Sequence, residues 1–262
     1  MSAVRPSRHG LPIRLALLLC GPLVVVTAWH LTYQYLGSSG EKTLLPSPLQ
    51  TFRALWLFVA SGEVLPHAGA TLCRMATGFG IATLLGVLSG LAVGRISVLF
   101  DSVNPVVNFF RSTPVTTLYP AFVLAFGMGD LSKTAMIFWA CFFVILFNTA
   151  GGTRQAGLVR TQMARLYGAS GFQVFRWITL YESLPQTLLG LRLALSYALI
   201  VAVLCEMFMG ANYGLGQKIT DAHTGYALER LYAIILLTGT LGYVLNAAFE
   251  RGEDYLVRWK ER

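Results

Sequence analysis

The sequence predicts an all-α integral membrane protein with about six transmembrane helices. Of its 262 residues, 55% are hydrophobic and only 12% are charged, which is about half the charged fraction of an ordinary soluble domain. A bilayer core needs about 20 apolar residues per helix, so a chain of this length accommodates six spans with short loops and no large extramembrane domain. The apolar runs place these spans near residues 14–36, 71–93, 105–126, 132–150, 187–209 and 231–249.

The first apolar run has two interpretations. Arginines precede it and the run passes through Val26-Thr27-Ala28, which would suit a cleaved secretory signal sequence. The run extends from Leu15 to Leu36, however, which is long enough to cross the bilayer, so we favour an uncleaved helix. Between the first two spans, residues 49–61 have apolar side chains at helical spacing in a segment too short to cross. We expect this helix to lie along the outer membrane surface.

The distribution of Lys and Arg predicts that both termini are cytoplasmic. With the N-terminus inside, thirteen of these residues lie on the inner side and five on the outer side. The formal net charge is +8, but the basic residues are scattered between apolar runs and form no stripe, which argues against a nucleic acid partner. We expect an N-terminal helix with an external amphipathic segment (1–70), a core membrane domain (71–250) and a cytoplasmic tail (251–262).

The second span has a face with almost no side-chain bulk. Gly86, Gly90 and Gly94 repeat at intervals of four residues, which places them on the same side of a helix. We therefore expect another helix to pack closely against this face.

The longest inner loop, residues 151–186, is predicted to form two short helices on the cytoplasmic face. Its apolar residues recur at helical spacing between arginines, and Gly168 and Gly171 mark a break. Such a surface suits docking into a groove of a soluble partner. A loop packed only on its own membrane domain explains the pattern equally well.

The same loop resembles a known motif. The stretch from Ala164 through Leu180 is similar to the EAA loop of binding-protein-dependent ABC importer permeases, which reads Glu-Ala-Ala, three residues, Gly, nine residues, Ile, one residue and Leu-Pro. Gly168 and Ile178 fall at the matching offsets. Gln162 stands at the Glu position, and Met163 and Tyr181 depart from the first Ala and the Pro.

The resemblance implies that this loop is a coupling helix seated on a separate ATPase. The residues it carries over are Gln162, Ala164, Arg165, Gly168, Ala169, Ser170, Phe175, Ile178 and Leu180.

Further segments extend the resemblance over roughly residues 65–250. Arg111-Ser112-Thr113-Pro114, Gly190-Leu191-Arg192 and Glu206-Met207 with Gly210–Gly216 are similar to the nitrate, sulfonate and taurine branch of these permeases. This implies the MetI-like transmembrane domain of a type I ABC importer in the bacterial inner membrane. The implied solute is a small anion, although similar permeases handle pyrimidine-like or riboflavin-like solutes and bicarbonate.

The implied partners are two ATPase subunits, an external solute-binding protein, membrane lipid and a second permease copy, with a homodimer favoured. ATP and Mg would bind to the ATPase subunits, and no cofactor to this chain. The sequence has no G-x4-GK[ST] phosphate loop, so we expect no ATP hydrolysis by the chain itself.

Three polar residues are candidates for the translocation path. Glu206 is the carboxylate well inside a predicted span, where a charge is costly and indicates function, but it equally suits capping of a neighbouring loop. Asn148 fits a hydrogen bond between helices better than a solute contact. Arg111 fits a positive anchor at the cytoplasmic interface better than an anion contact.

Two other classes of protein are alternatives. An ion-coupled secondary transporter would also have several spans, but would usually bring more carboxylates or histidines into them. A membrane-embedded enzyme would need clustered His, Asp or Glu near an interface, and the sequence has no such cluster. The histidines have no neighbours at metal-ligand spacing, so no metal site is expected.

Overall fold

The structure, a computed structural model, describes residues 11–38 and 45–257, which are nearly all helical. The helices are α1 (Leu11–Ser38), α2 (Pro48–Ala60), α3 (Val64–Arg95), α4 (Ser97–Ser112), α5 (Tyr119–Phe126), α6 (Asp130–Gln155), α7 (Leu158–Leu166), α8 (Gly171–Val174), α9 (Leu180–Met209), α10 (Leu215–Thr224) and α11 (Leu228–Leu256).

Among the described residues, four helical segments are long and apolar enough to cross a membrane: α3, α6, the continuous stretch Gly171–Met209, and α11. They contain the predicted spans 71–93, 132–150, 187–209 and 231–249. The helix α1 contains the predicted span 14–36.

Helices α3 and α6 pack side by side along the glycine face predicted from the sequence. A Cβ atom added to Gly90 would lie 2.6 Å from Thr149 Cβ, and one added to Gly86 would lie 3.0 Å from Ile145 Cβ. Because both residue numbers rise together along this contact, the two helices run parallel. Gly80, on another face of α3, has open space around it. The predicted close packing is confirmed.

Helix α9 packs antiparallel against α6 and completes the core. The Cys141 thiol donates to the carbonyl oxygen of Ala194 at 3.3 Å, and a Cβ atom at Gly190 would lie 2.6 Å from Asn148 Cβ. Ala194 and Ala198 have no exposed surface. Small residues on α9 thus let its backbone approach α6 closely.

The predicted third span, 105–126, is wrong as a single helix. Helix α4 ends at Ser112, a 3₁₀ turn follows at Val115–Leu118, and α5 begins at Tyr119. Pro114 explains the break, because it forces Thr113 into an extended conformation with ψ 122°. The broken segment runs antiparallel beside α6: Phe110 packs against Phe143 and Trp139, then Phe122 packs against Trp139.

The predicted amphipathic helix near 49–61 is confirmed as helix α2. Ser47 and Gln50 form a capping box, in which the Ser47 N–H donates to Gln50 Oε1 at 2.9 Å and the Gln50 N–H donates to Ser47 Oγ at 3.2 Å. Its position along the membrane surface stays a prediction. Helix α2 packs against α11, which also contacts α9 and α10.

Candidate functional site

The predicted cytoplasmic loop forms a helical hairpin, which we define as α7, the turn Tyr167–Ser170 and α8. Gly168 has φ +83°, a conformation that glycine adopts at little cost. The Gly168 N–H donates to the Arg165 carbonyl at 3.0 Å and the Ala169 N–H to the Ala164 carbonyl at 2.9 Å. These bonds satisfy carbonyl groups at the end of α7. The predicted break at Gly168 is confirmed.

The second helix of the hairpin starts at a capping box. The Ser170 N–H donates to Gln173 Oε1 at 2.7 Å, and the Gln173 N–H donates to Ser170 Oγ at 3.3 Å. The prediction that this second helix is short is wrong. It continues through one π-helical turn at Phe175–Thr179 into α9, and the helix extends past Pro185 without a break. The hairpin is therefore joined directly to a membrane-spanning helix.

Large apolar side chains cover the tip of the hairpin and point into open space. Leu166 and Tyr167 are each 87% exposed and Phe172 is 67% exposed. Of the residues carried over from the EAA loop, Gln162, Arg165, Gly168 and Ser170 are exposed, whereas Ala164, Ala169, Phe175, Ile178 and Leu180 are half-buried. The structure thus places the first six of these residues, from Gln162 to Ser170, on the hairpin, and Phe175, Ile178 and Leu180 on the helical segment that continues from it.

A carboxylate that sequence reasoning missed holds the base of the hairpin. Arg160 Nη1 in α7 donates to Glu182 Oε1 at the start of α9, at 2.7 Å. Gly157, at the start of α7, packs so closely on this carboxylate that a Cβ atom would lie 2.7 Å from Glu182 Cδ. A negative charge beside the first turn of a helix is favourable, so Glu182 connects the start of α7 to the start of α9.

A polar cluster lies at the opposite end of the core helices, around Glu206. This carboxylate has no exposed surface. Arg74 Nη1 donates to Glu206 Oε1 at 2.6 Å, and the Thr71 hydroxyl and the Gly216 N–H lie 2.9 Å and 3.0 Å from Oε2. Both oxygens are therefore occupied within the chain. A passing solute would have to displace one of these bonds to reach them.

The same cluster caps α10. The first N–H groups of a helix have no partner within the helix. Here the Gly214 N–H donates to His67 Nδ1 at 3.0 Å and the Leu215 N–H to Thr71 Oγ1 at 2.9 Å, beside the bond from Gly216 to Glu206. A Cβ atom at Gly214 would lie 2.5 Å from Glu206 Cδ. The structure therefore has the geometry expected for loop capping by Glu206.

Arg74 connects the cluster to the start of α6. Its Nε donates to Asp130 Oδ1 at 2.8 Å and its Nη1 to the Tyr213 carbonyl at 2.8 Å. Beside this arginine lies a cavity of about 730 Å³, lined also by Asp130, Lys133 and Asn212. Lys133 is 3% exposed, and its Nζ is 3.6 Å from Asp130 Oδ1.

The three predicted path residues are not brought together. Asn148 lies about 27 Å along α6 from Asp130, at a rise of 1.5 Å per residue. It is buried and links α6 to α9, because Gln186 Nε2 donates to its Oδ1 at 3.2 Å. Arg111 is exposed, and its guanidinium lies 4.2 Å from the centre of the Phe147 ring.

A polar ladder on α4 leads to Arg111. Asn108 Nδ2 donates to Asn104 Oδ1 at 3.1 Å, and Arg111 Nη2 donates to Asn108 Oδ1 at 3.3 Å. The ladder ends just before the break at Pro114.

Sequence reasoning missed Arg74, Asp130 and Lys133. The partners of Arg74 are more than fifty positions away along the chain, so no local pattern reveals the pairing. The sequence does contain a weaker signal for a polar cluster. The predicted topology brings several span ends together on the outer side, and these ends carry charges of both signs.

Residues 82–262 match the family of binding-protein-dependent transport system inner membrane components. The chain belongs to this family. As the EAA loop indicated, it is a permease of the ABC importer type, and its place is the inner membrane.

Relatives of this permease include proteins for different solutes. It is 28% identical over 241 residues to SsuC of Bacillus subtilis, whose name assigns it to aliphatic sulfonates, with 91% of this chain and 86% of SsuC covered. It is 29% identical over 240 residues to ThiX of Halalkalibacterium halodurans, named for formylaminopyrimidine, with 92% of this chain and 94% of ThiX covered.

The fold is also that of a solved permease. A structure of the inward-facing MetNI methionine ABC transporter superposes with a TM-score of 0.64 at 20% identity, covering 74% of this chain and 95% of the matched chain. The predicted MetI-like membrane fold is confirmed.

Proposed function

We propose that this permease forms the translocation path for a small anion in an ATP-driven importer, and that the hairpin couples it to a separate ATPase. The observation that carries the proposal is the exposed apolar tip formed by Leu166, Tyr167 and Phe172. Spaced apolar anchors on a helix are what a groove on a soluble partner recognises. The bonds around Glu182 would hold this tip at a fixed angle to the membrane.

Movement of the hairpin would be transmitted directly to the core. The second helix runs unbroken from Gly171 to Met209, so a displacement at the ATPase surface reaches the polar cluster at the far end of α9. Gln162, Arg165 and Ser170 would contact the ATPase, because they are exposed. Ala164, Ala169, Phe175, Ile178 and Leu180 would shape the hairpin from its half-buried side. Rigid-body motion of this kind underlies alternating access in transporters.

The path would run along the broken segment of α4 and α5. Discontinuous helices commonly line solute paths in transporters, since their free polar groups face a cavity. Arg111 uses one hydrogen bond, to Asn108, among the described residues, which leaves most of its donors for an anion. Asn148 would keep α6 and α9 in register, and Glu206 would hold the outer end of the path closed to lipid.

The complete transporter would contain two copies of this permease, two ATPase subunits that bind ATP and Mg, and an external binding protein. Residues 71–250 would form the core domain, with the hairpin and both termini in the cytoplasm and lipid around the spans. An anion is favoured over a pyrimidine because the relative SsuC is named for sulfonates and because Arg111 is available.

Solute uptake tests this proposal. Right-side-out membrane vesicles from the native host, loaded with ATP and supplied with the external binding protein, should accumulate radiolabelled taurine, and unlabelled alkanesulfonates should compete. Accumulation should continue after an ionophore collapses the ion gradients. Uptake that needs no ATP and stops with the ionophore would indicate a secondary transporter instead.

A further inference from the structure

We propose that the cavity beside Lys133 is an oxyanion-binding site at the outer end of this permease, where a sulfonate or carboxylate group of the solute is first received. This inference rests on the proposed function for the identity of the solute, but not for the existence of the site. The relevant lining residues are Arg74, Asp130, Lys133, Asn212 and Tyr213.

The buried Lys133 side chain places an ammonium group at the cavity. The residue is 3% exposed and lines the cavity, so the surface that it leaves open faces this space. An ammonium group has three N–H donors, and within the part of the chain that the structure describes Lys133 has a single polar partner, the Asp130 carboxylate. Its one ion pair, at 3.6 Å, is to an Asp130 oxygen that already accepts from Arg74 at 2.8 Å. A buried cation with unused donors calls for an anionic ligand.

The start of α6 also borders the cavity. The first turn of this 26-residue helix has no side-chain cap, and Gly129 and Asp130 line the cavity together with Lys133. Uncapped N–H groups and the positive end of a helix dipole favour an anion at the same place. Lys133 and the start of α6 therefore both direct positive potential into the cavity, and the Asp130 carboxylate of the same first turn opposes them in part.

The charges nearby define what the site can bind. Arg74 is held by Glu206 and by Asp130, so it shapes the wall without offering a free charge. Glu206 does not line the cavity. Asp130 stands at the rim with 67% of its side chain exposed and opposes an anion there. A small oxyanion that reaches past the rim to Lys133 fits this arrangement, and a cavity of about 730 Å³ is large enough for it.

The location suits the first contact with a solute. The cavity lies at the start of α6, and the hairpin follows the end of the same helix at Gln155. If the hairpin faces the ATPase in the cytoplasm, the cavity faces outward, where the external binding protein would deliver the solute.

Anion binding to the purified full-length permease tests the site directly. Methanesulfonate should raise its melting temperature in detergent at constant ionic strength, whereas the neutral analogue dimethyl sulfone should not. K133M should raise the apparent Kd for methanesulfonate about tenfold or more, since it removes one charge-assisted contact. K218M is the matched control, because Lys218 already pairs with Glu63 at 3.0 Å, and it should bind as the wild type does.

Two further variants test the site even if K133M fails to fold. K133R should retain binding. D130N removes the opposing carboxylate, so its affinity for methanesulfonate should rise several-fold. Wild-type affinity in K133M, or weaker binding in D130N, would overturn the site.

The vesicle measurement separates this inference from the proposed function. K133M vesicles should need a higher taurine concentration for half-maximal uptake. If methanesulfonate binds through Lys133 but the wild type shows no ATP-dependent uptake, the anion site is supported and the proposed function is wrong. If the wild type shows ATP-dependent uptake but K133M binds methanesulfonate with unchanged affinity, the proposed function is supported and the anion site is wrong.

Discussion

Arg74 Nη1 and Glu206 Oε1 lie 2.6 Å apart and join α3 to α9 inside the membrane domain. The Glu206 side chain has no exposed surface and that of Arg74 is 10% exposed. The pair also fixes α10, because Glu206 accepts the Gly216 N–H at 3.0 Å. Separation of α3 from α9 at this end would leave two charges buried without partners, which is strongly unfavourable. The pair therefore holds three helices in one arrangement.

Removal of Glu206 is expected to destabilise the fold. E206A leaves Arg74 partly unpaired and removes a cap from α10, so the free energy of unfolding should fall by about 3 kcal/mol. Thermal unfolding in detergent measures this. The control D101A breaks the exposed pair between Asp101 and Arg154 and should change stability by less than about 1 kcal/mol. Equal melting temperatures for E206A and the wild type would contradict a structural role.

The glycine face of α3 gives a second prediction. A Cβ atom at Gly90 would lie 2.6 Å from Thr149 Cβ and 2.9 Å from the Leu146 carbonyl oxygen, so G90A should separate α3 from α6 and lower the melting temperature. G80A makes the same chemical change on the same helix, where there is open space. It should leave stability unchanged or raise it slightly, as Ala favours helix over Gly. Equal effects of the two variants would argue against close packing.

The contribution of Arg111 can be tested by transport. R111Q should lower taurine uptake about tenfold, as expected when one charge-assisted contact to an anion is lost. R192Q is the control, because Arg192 pairs with Glu250 at 3.2 Å and is not proposed to contact solute. Both variants should reach wild-type levels in the membrane. Full uptake by R111Q would remove this arginine from the path.

Glu63, at the same end of the protein as the polar cluster around Glu206, gives stability a pH dependence. The hydrogen bond from Lys218 at 3.0 Å, with a further contribution from Arg230 at 2.5 Å, lowers the pKa of Glu63 below its ordinary value of 4.5. Because the folded pKa is depressed, the stabilisation is complete above the unfolded pKa and is lost as pH falls through the folded pKa.

The measurement is thermal unfolding between neutral pH and about pH 3, where E63Q should reduce the loss of stability on acidification. The carboxylate is 38% exposed, so the difference should stay below about 1 kcal/mol. E229Q changes an exposed carboxylate that has no ion pair among the described residues and should leave the pH profile unchanged. Identical profiles for E63Q and the wild type would show that the pairing adds nothing.

The sequence predicts the features that depend on local pattern. The four-residue glycine interval predicts that a helix packs closely on this face of α3, without identifying α6, and Gly168 predicts the turn of the hairpin. Apolar length predicts a single span over 105–126, whereas Pro114 is the local signal for the break that the structure has there. The continuation of the hairpin into α9 was missed because a loop was expected to end before the next span.

The polar cluster depends on tertiary structure and was largely hidden. Glu206 was recognised as unusual from its position in a span, but its two roles could not be separated until Thr71 and Gly216 were seen beside it. Lys133 was counted only as a positive charge on the outer side. Its burial and unused donors follow from the packing of α3, α6 and α9, which no local pattern describes.

Co-purification of the tagged permease from its native host, with mass spectrometry of the bound proteins, tests the coupling hairpin most directly. The wild type should retain an ATPase that carries a phosphate loop. R165E and G168W should lose it, whereas R251E, which reverses another exposed arginine, should retain it. The coupling role of the hairpin would be contradicted if all of these variants retained the ATPase. It would also be contradicted if no ATPase were recovered with any of them or with the wild type.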